Sequence, residues 1–428
     1  RDRCYRHVIG STIMKLVLWL IATGLSLPVF ADTANTSTSR FHWNGFASQA
    51  FVHTSDNRFF GDSDNGSFDF TEIGLNGSYL VSPRLRLAAQ ILSRRAGDLY
   101  SGSPQIDYAL LDATLFSSSE STLGMYLGRI KNPIGLYNET RDVAHTREGI
   151  FLPQAIYFDK VRNLTVSSDG LHLYGRVYRD NGTWSLQGGI GYPIVDKNFE
   201  YAYMGQDWDG KTRGEDLAAF GRLLYEHNGG RWIYAVTGAS VRTDFRAGGA
   251  DRIAFPAGAG LSSGNIDIDY SVFSMQFNGE KWQFTTEVAF QAARYRNISS
   301  AFAAQDFNAI GYYSQLSYNF TPRWQGFLRY EEFQLNHDDW NGSKRAQQTR
   351  EESAFLANFG IEQSPMPAHA FYSQTWALGA RWDITSQWQL RAEYQFIEGT
   401  ATLSPRENDM SQSEKYWNLF ALSVSYHF

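Results

Sequence analysis

The ten residues Gln387-Trp388-Gln389-Leu390-Arg391-Ala392-Glu393-Tyr394-Gln395-Phe396 decide the fold. Successive side chains of an extended strand point to opposite sides. Trp388, Leu390, Ala392, Tyr394 and Phe396 therefore share one face, and Gln389, Arg391, Glu393 and Gln395 the other. Two residues of the second face are charged and sit in mid-strand, where a dry sandwich core has no place for them. A wet interior does. The apolar face is then the outside, as in a barrel whose strands alternate between hydrocarbon and water.

The same pattern recurs along the chain. Trp282, Phe284, Val288 and Phe290 oppose Gln283, Thr285, Glu287 and Gln291. Leu85, Leu87, Ala89 and Ile91 oppose Arg84, Arg86, Gln90 and Arg94. Tyr312, Leu316, Tyr318 and Phe320 oppose Tyr313, Gln315, Ser317 and Asn319. Period and turn residues predict strands over 41–54, 68–81, 84–96, 105–117, 121–131, 169–180, 183–194, 215–227, 231–245, 266–278, 281–295, 307–320, 323–336, 370–384, 387–400 and 416–428. That makes sixteen. Tight connections at Ser82-Pro83, Ser118–Glu120, Asn181-Gly182, Asn228-Gly229-Gly230, Gly279-Glu280, Thr321-Pro322 and Ser386 alternate with long polar ones such as 55–67, 196–214, 247–265 and 337–369. All tight turns fall on one rim and all long loops on the other, the plan of an up-and-down transmembrane β-barrel. The class is all-β and antiparallel.

Composition agrees. Mean hydropathy is −0.37, yet aromatics reach 15%, with 24 Tyr, 30 Phe and 12 Trp. An alternating strand averages its apolar face away. Near the start, Met14-Lys15 opens the apolar run Leu16–Ala22, followed by Pro28-Val29-Phe30-Ala31, the layout of a secretory signal peptide. The expected start is Met14 and the expected cleavage follows Ala31, leaving 32–428 as a single barrel domain. Cys4 falls in the discarded part, so no disulfide or thiolate site is expected. The formal charge of −6 becomes about −9 without Arg1, Arg3, Arg6, Lys15 and Asp2, which argues against a nucleic-acid partner.

The last strand sets Phe420, Leu422, Val424, Tyr426 and Phe428 on one face and ends on an aromatic residue. Here the chain resembles outer-membrane proteins of Gram-negative bacteria, whose final strand carries such a ladder as an assembly signal, with Tyr426 and Phe428 in that role. The third long connection, 132–168, is expected to be the longest. It carries Ile150-Phe151-Leu152, an apolar cluster that a solvated loop would not need. Sixteen strands, that loop, and Gly128-Arg129-Ile130-Lys131-Asn132-Pro133 leading into it resemble the trimeric porins. The resemblance implies a third loop folded into the lumen, a water-filled channel for passive diffusion of small hydrophilic solutes and ions, a homotrimer, and an integral outer-membrane location. It also implies membrane lipid, lipopolysaccharide and the barrel-assembly machinery as partners, with no cofactor and no metal. It places Arg129, Lys131, Glu139, Arg141, Asp142, His145, Arg147, Glu148, Lys160 and Arg162 at the constriction. General porins often set an acidic third loop against a wall of arginines; this loop mixes both signs.

Strand parity points Glu72, Arg84, Arg86, Arg94, Asp112, Glu287, Arg329, Glu331, Arg381, Arg391 and Glu393 inward, and Arg176 joins them beside the third loop. Charged side chains near the narrowest point set ion selection, and a basic excess there implies a weak anion preference. A substrate-specific channel for phosphate, carboxylate or sugar is the alternative on the same barrel. An enzyme is not expected: the histidines are scattered without ligand spacing and no nucleophile elbow is present. The acidic loop Gly61–Gly66 fails the calcium-loop pattern. Thr349-Arg350-Glu351-Glu352 resembles a capping box, predicting a helix from Thr349 to a C-cap at Gly360.

Overall fold

The computed structural model describes residues 39–252, 260–299, 306–360 and 362–428. The expected signal peptide lies outside the described residues. Seventeen strands form one closed antiparallel sheet. They are β1 (Phe41–Thr54), β2 (Ser67–Ser82), β3 (Leu85–Ala96), β4 (Tyr100–Ser117), β5 (Ser121–Lys131), β6 (Ser167–Arg179), β7 (Gly182–Pro193), β8 (Lys211–Arg213), β9 (Ala218–His227), β10 (Trp232–Arg246), β11 (Gly264–Asn278), β12 (Trp282–Arg296), β13 (Phe307–Thr321), β14 (Trp324–Gln334), β15 (Tyr372–Asp383), β16 (Trp388–Gly399) and β17 (Tyr416–His427). Sixteen are the expected ones. The extra β8 has three residues and pairs only with the upper end of β10. Each long strand pairs with its sequence neighbour, and β1 closes the ring on β17, with Phe46 opposite His427 and Thr54 opposite Leu419.

Burial is inverted relative to a soluble protein. Leu127, Leu173, Phe273 and Trp376 stand about half exposed on the outside (51, 52, 50 and 51%), whereas Glu287, Arg329 and Glu393 are 0–1% exposed on the inside. Buried charges persist only where they are paired or hydrogen-bonded, so the interior has to supply partners.

Two expectations about the loops are corrected. The connection 335–371 between β14 and β15 runs longer than 132–166 between β5 and β6. Its helix spans Ser343–Ala357 (α3 below) and starts six residues before the apparent capping box. Thr349 is not a cap but a mid-helix residue, and its buried hydroxyl bonds the carbonyls of Ala346 and Met366. Asp339 accepts from the Lys344 and Arg345 amides and so serves the helix start instead. Gly360 does take the left-handed conformation, φ +74°. Two further helices are α1 (Arg162–Val166) and α2 (Lys197–Met204), the latter capped by Asp196.

Candidate functional site

The segment 132–166 is fixed by apolar anchors at both ends. Ile150 and Phe151 pack with Phe59, Phe60 and Phe70; the Phe151 ring lies 5.2 Å from Phe59 and 5.5 Å from Phe70. Ile134, Ile156, Phe158, Val161 and Leu164 pack with Phe220, Val241, Phe245 and Ile268 of β9–β11. The apolar cluster that looked misplaced in a loop is thus buried against the inner wall.

Backbone groups of the segment are met by charged wall residues. Glu393 accepts from the Ile150 and Phe151 amides at 2.7 and 3.2 Å. Glu287 accepts from the Leu136 amide at 3.0 Å and from the Tyr157 hydroxyl at 2.6 Å, and Glu331 accepts from the Ala155 amide at 3.3 Å. Arg391 donates to the carbonyls of Ala144 (2.7 Å) and Gly149 (2.9 Å), and Arg329 to that of Phe151 (3.3 Å). These five wall residues, expected to face solute, are occupied in holding the segment. An irregular chain inside a barrel must find partners for its amides and carbonyls, and these side chains are the partners.

A second group of charges ties the segment to β2–β5. Asp142 takes Lys131 at 2.6 Å and Arg162 at 2.6 Å; Asp107 takes the same two cations at 2.7 and 3.3 Å. Asp159 binds Arg94 (2.7 Å) and Arg141 (3.4 Å), and Glu72 binds Arg94 (3.3 Å) and Arg147. Burial alone would raise the Asp142 carboxyl, but Arg162, Lys131 and Arg141 outweigh it and hold it well below the ordinary carboxylate range. Burial likewise works against Asp159, and Arg94 and Arg141 reverse it. Asp107 was missed by strand parity. A bulge between Gln90 and Ile91, opposite Tyr108 and Ile106, shifts the alternation of β4 at that residue.

Less buried parts of the segment carry Glu139, paired with Arg222 of β9 at 2.6 Å, and Glu148, which accepts from Gln315 and Ser317 of β13. Burial raises the Glu148 carboxyl despite these bonds. His145 stacks on His427 of β17, and burial, then His427 and Arg391, push its imidazole down to about 4. Lys160 donates to the Ala401 carbonyl, and burial lowers its amine to about 8. Arg222 and His427 were also missed; both lie on strands and gain a role only through a residue distant in sequence.

Other placements follow. Arg86 and Arg176 are inward and exposed; Arg176 shares its face with Tyr174, whose hydroxyl donates to Asp112 at 2.7 Å. Arg381 is inward, next to Asp383 at 3.4 Å. Arg84 is exposed in the β2–β3 turn rather than on the wall. Arg129 is a correction. It shares the outer face of β5 with the exposed Leu123 and Leu127, opposite Tyr126, and forms a two-bond pair with Asp169 of β6 at 2.7 and 2.8 Å. At the carboxyl end the Phe428 amide and carbonyl bond the Gly45 carbonyl and amide, and its ring meets Trp43 at 5.2 Å. The aromatic terminus thus helps close the ring.

No protein-family model and no curated protein matches the sequence. Solved structures do resemble it. Outer-membrane expressed OmpT of Vibrio cholerae superposes with a TM-score of 0.53 at 10% identity, covering 91% of this chain and 99% of that one. The outer membrane channel DcaP of Acinetobacter baumannii gives 0.53 at 10% identity, covering 91% and 97%. Pseudomonas putida OprB gives 0.53 at 12% identity, covering 91% and 94%. At such identities the likeness concerns architecture, and the chain shares with these proteins the closed antiparallel sixteen-strand barrel.

Proposed function

We propose that this chain is a porin of the bacterial outer membrane, an integral barrel through which small hydrophilic solutes and ions diffuse passively. The carrying observation is the inverted burial: aliphatic and aromatic side chains project outward, while charged ones face inward, where 132–166 packs against them. One of the similar structures is itself described as an outer membrane channel. Export by the amino-terminal signal peptide, assembly through the terminal Tyr426–Phe428 ladder by the barrel-assembly machinery, contact with lipopolysaccharide, and a homotrimeric state complete the reading. It includes no catalytic activity.

A weak anion preference follows from the interior charges. Among the described residues, Arg86, Arg176 and Arg391 have no ion-pair partner, and neither do Asp112, Glu148 and Glu287, but these three acids are taken up by hydrogen bonds from Tyr174, from Gln315 and Ser317, and from Tyr157, Tyr313 and Ser274, whereas Arg86 and Arg176 stand exposed on the inner face. A substrate-specific channel for phosphate, carboxylate or sugar is the second reading, favoured by the packing of Ile134, Ile156, Phe158, Val161 and Leu164 of the segment against the wall. Planar-bilayer recording tests both. Stepwise conductance proportional to bulk salt supports the general pore, saturation and block by one solute support the specific channel, and no conductance overturns the proposal.

A further inference from the structure

Gly399 ends β16 in the left-handed region, φ +88°, and the connection 400–415 that follows folds back over the barrel. Thr400, Leu403 and Met410 are buried, the last two in the cluster that holds Phe59, Phe60, Leu99 and Phe151. Connections between strands usually run over the surface, where water meets their polar groups. This one bonds other long connections instead. Asn408 and Arg58 exchange two bonds, from the Arg58 amide at 2.8 Å and to the Arg58 carbonyl at 2.9 Å. Glu407 accepts from the amides of Gly61 (2.7 Å), Asp98 (3.0 Å) and Phe60 (3.1 Å). Gly97, at φ +51°, makes room for it, since a side chain there would overlap the Glu407 carboxylate. Arg406 donates to Asn198 Oδ1 at 2.7 Å and to the Leu99 carbonyl at 3.4 Å, and its guanidinium lies 5.6 Å from the Tyr201 ring. From below, Lys160 donates to the Ala401 carbonyl.

Asn198 and Tyr201 belong to α2, which follows β7, whereas Arg406 follows β16. These strands are the seventh and fifteenth of the sixteen long ones, so the two connections meet from opposite sides of the ring. Sixteen strands about 4.8 Å apart and tilted about 40° enclose a ring roughly 30 Å across. The chain from Gly399 to Arg406 extends at most about 25 Å. The junction therefore stands over the opening. We infer, on the reading that the chain is a channel, that 400–415 is a strap across the long-loop mouth whose tip, Arg406–Glu407, detaches and reseats to open and close entry. Its root is fixed, because the Gly399 amide bonds the Lys415 carbonyl and the Thr400 amide that of His369. Its tip is held by hydrogen bonds between loops, which open at lower cost than the strand ladders beneath them. Strap and segment then have separate roles. The segment 132–166 sets the current through an open channel, and the strap sets the time spent open.

Arg406→Ala combined with Glu407→Ala, in the full-length chain recorded in planar bilayers, tests this. The ratio of open to closed time is expected to rise about tenfold, as for the loss of one or two net hydrogen bonds. The height of the fully open step is expected to stay as in the parent. Arg179→Ala, which breaks an exposed pair with Glu120 at the rim of tight turns, is expected to change neither quantity. An unchanged ratio in the double variant overturns the inference, as does a higher open step with unchanged dwell times. In a second arm, Asn198→Cys and Arg406→Cys are introduced with Cys4→Ser, and the two thiols are joined by a short, cleavable bis-methanethiosulfonate linker. Current is expected to be lost on linking and to return when a reductant is added. Full current in the linked chain overturns the inference, and so does failure of the thiols to be joined in a barrel that keeps its heat-modifiable migration. Absence of conductance from the parent and all variants alike is a different result, and removes the channel reading itself.

Discussion

The imidazole of His145, in the segment between β5 and β6, lies flat on that of His427, the last residue of β17, with ring centroids 4.0 Å apart and planes 18° from parallel. Arg391 stands close enough to add to the repulsion His145 would feel as a cation. A proton on His145 therefore works against the stack.

Acid should loosen this contact. The His145 imidazole falls from its usual 6.5 to about 4 in the folded chain. A histidine whose folded value is depressed contributes stability that is present above 6.5 and is lost as pH falls toward 4. Because the ring is only half buried, the effect is discounted to about 1 kcal/mol. Limited proteolysis of segment 132–166 at pH 7 and pH 4.5 is expected to accelerate at the lower pH, and His145→Phe is expected to remove most of that difference. Equal pH dependence in the variant would show that another group controls it.

The buried acid Asp142 predicts a stability loss. Asp142→Asn removes one of two carboxylates shared by Lys131 and Arg162 and leaves positive charge undercompensated away from water. Breaking a buried pair from one side costs about 3–5 kcal/mol. The temperature at which the barrel loses its heat-modifiable migration should fall by several degrees, and the segment should become protease-sensitive first. A variant as stable as the parent would mean the cluster is hydrated and weak.

How far the sequence was legible depends on which rule each residue obeys. Strand number and order follow from period-two alternation and turn residues, which are local, and sixteen segments such as 387–400 fall where Trp388–Gly399 does. The wall residues Glu287, Glu331 and Glu393 were placed inward by the same counting. Their binding of loop amides was not legible, because it joins residues more than a hundred positions apart. Asp107 was lost to a bulge that breaks the count. Arg129 is next to the loop in sequence, yet parity with Leu123 and Leu127 sets it outside. The apolar residues of α3 mark a helix, but its start is not legible, since its first turn is satisfied by Asp339, outside any short motif.

Ion selectivity should follow the face a charge occupies. Arg129→Glu is expected to leave the reversal potential in a salt gradient unchanged, although it sets two acids side by side and weakens β5–β6 pairing. Arg86→Glu combined with Arg176→Glu, both on the exposed inner face, is expected to move the reversal potential toward cation preference. Charges near the water-filled path act within a screening length of about 8–10 Å, which these two arginines satisfy if solute passes them. A shift from Arg129→Glu equal to that of the double variant would put the outer face in contact with the ion path.

Removing the inserted segment supplies the last prediction. Residues 139–160 include the apolar anchors Ile150 and Phe151 and the amides held by Glu393 and Glu331. A chain lacking them keeps every strand and every strand pairing, because none of the ladders involves these residues. The wall acids and arginines that had bonded the segment are released into water, where both signs can be hydrated. Single-channel conductance is therefore expected to rise severalfold, with greater current noise from the newly mobile wall side chains. Ile150→Asp combined with Phe151→Asp, which places two carboxylates among Phe59, Phe60 and Phe70 beside Glu393, is expected to raise conductance in part without any deletion. A deleted chain that inserts, remains heat-modifiable and conducts no better than the parent would show that the segment does not stand in the path of ions, and the constriction would have to be sought at another level of the barrel.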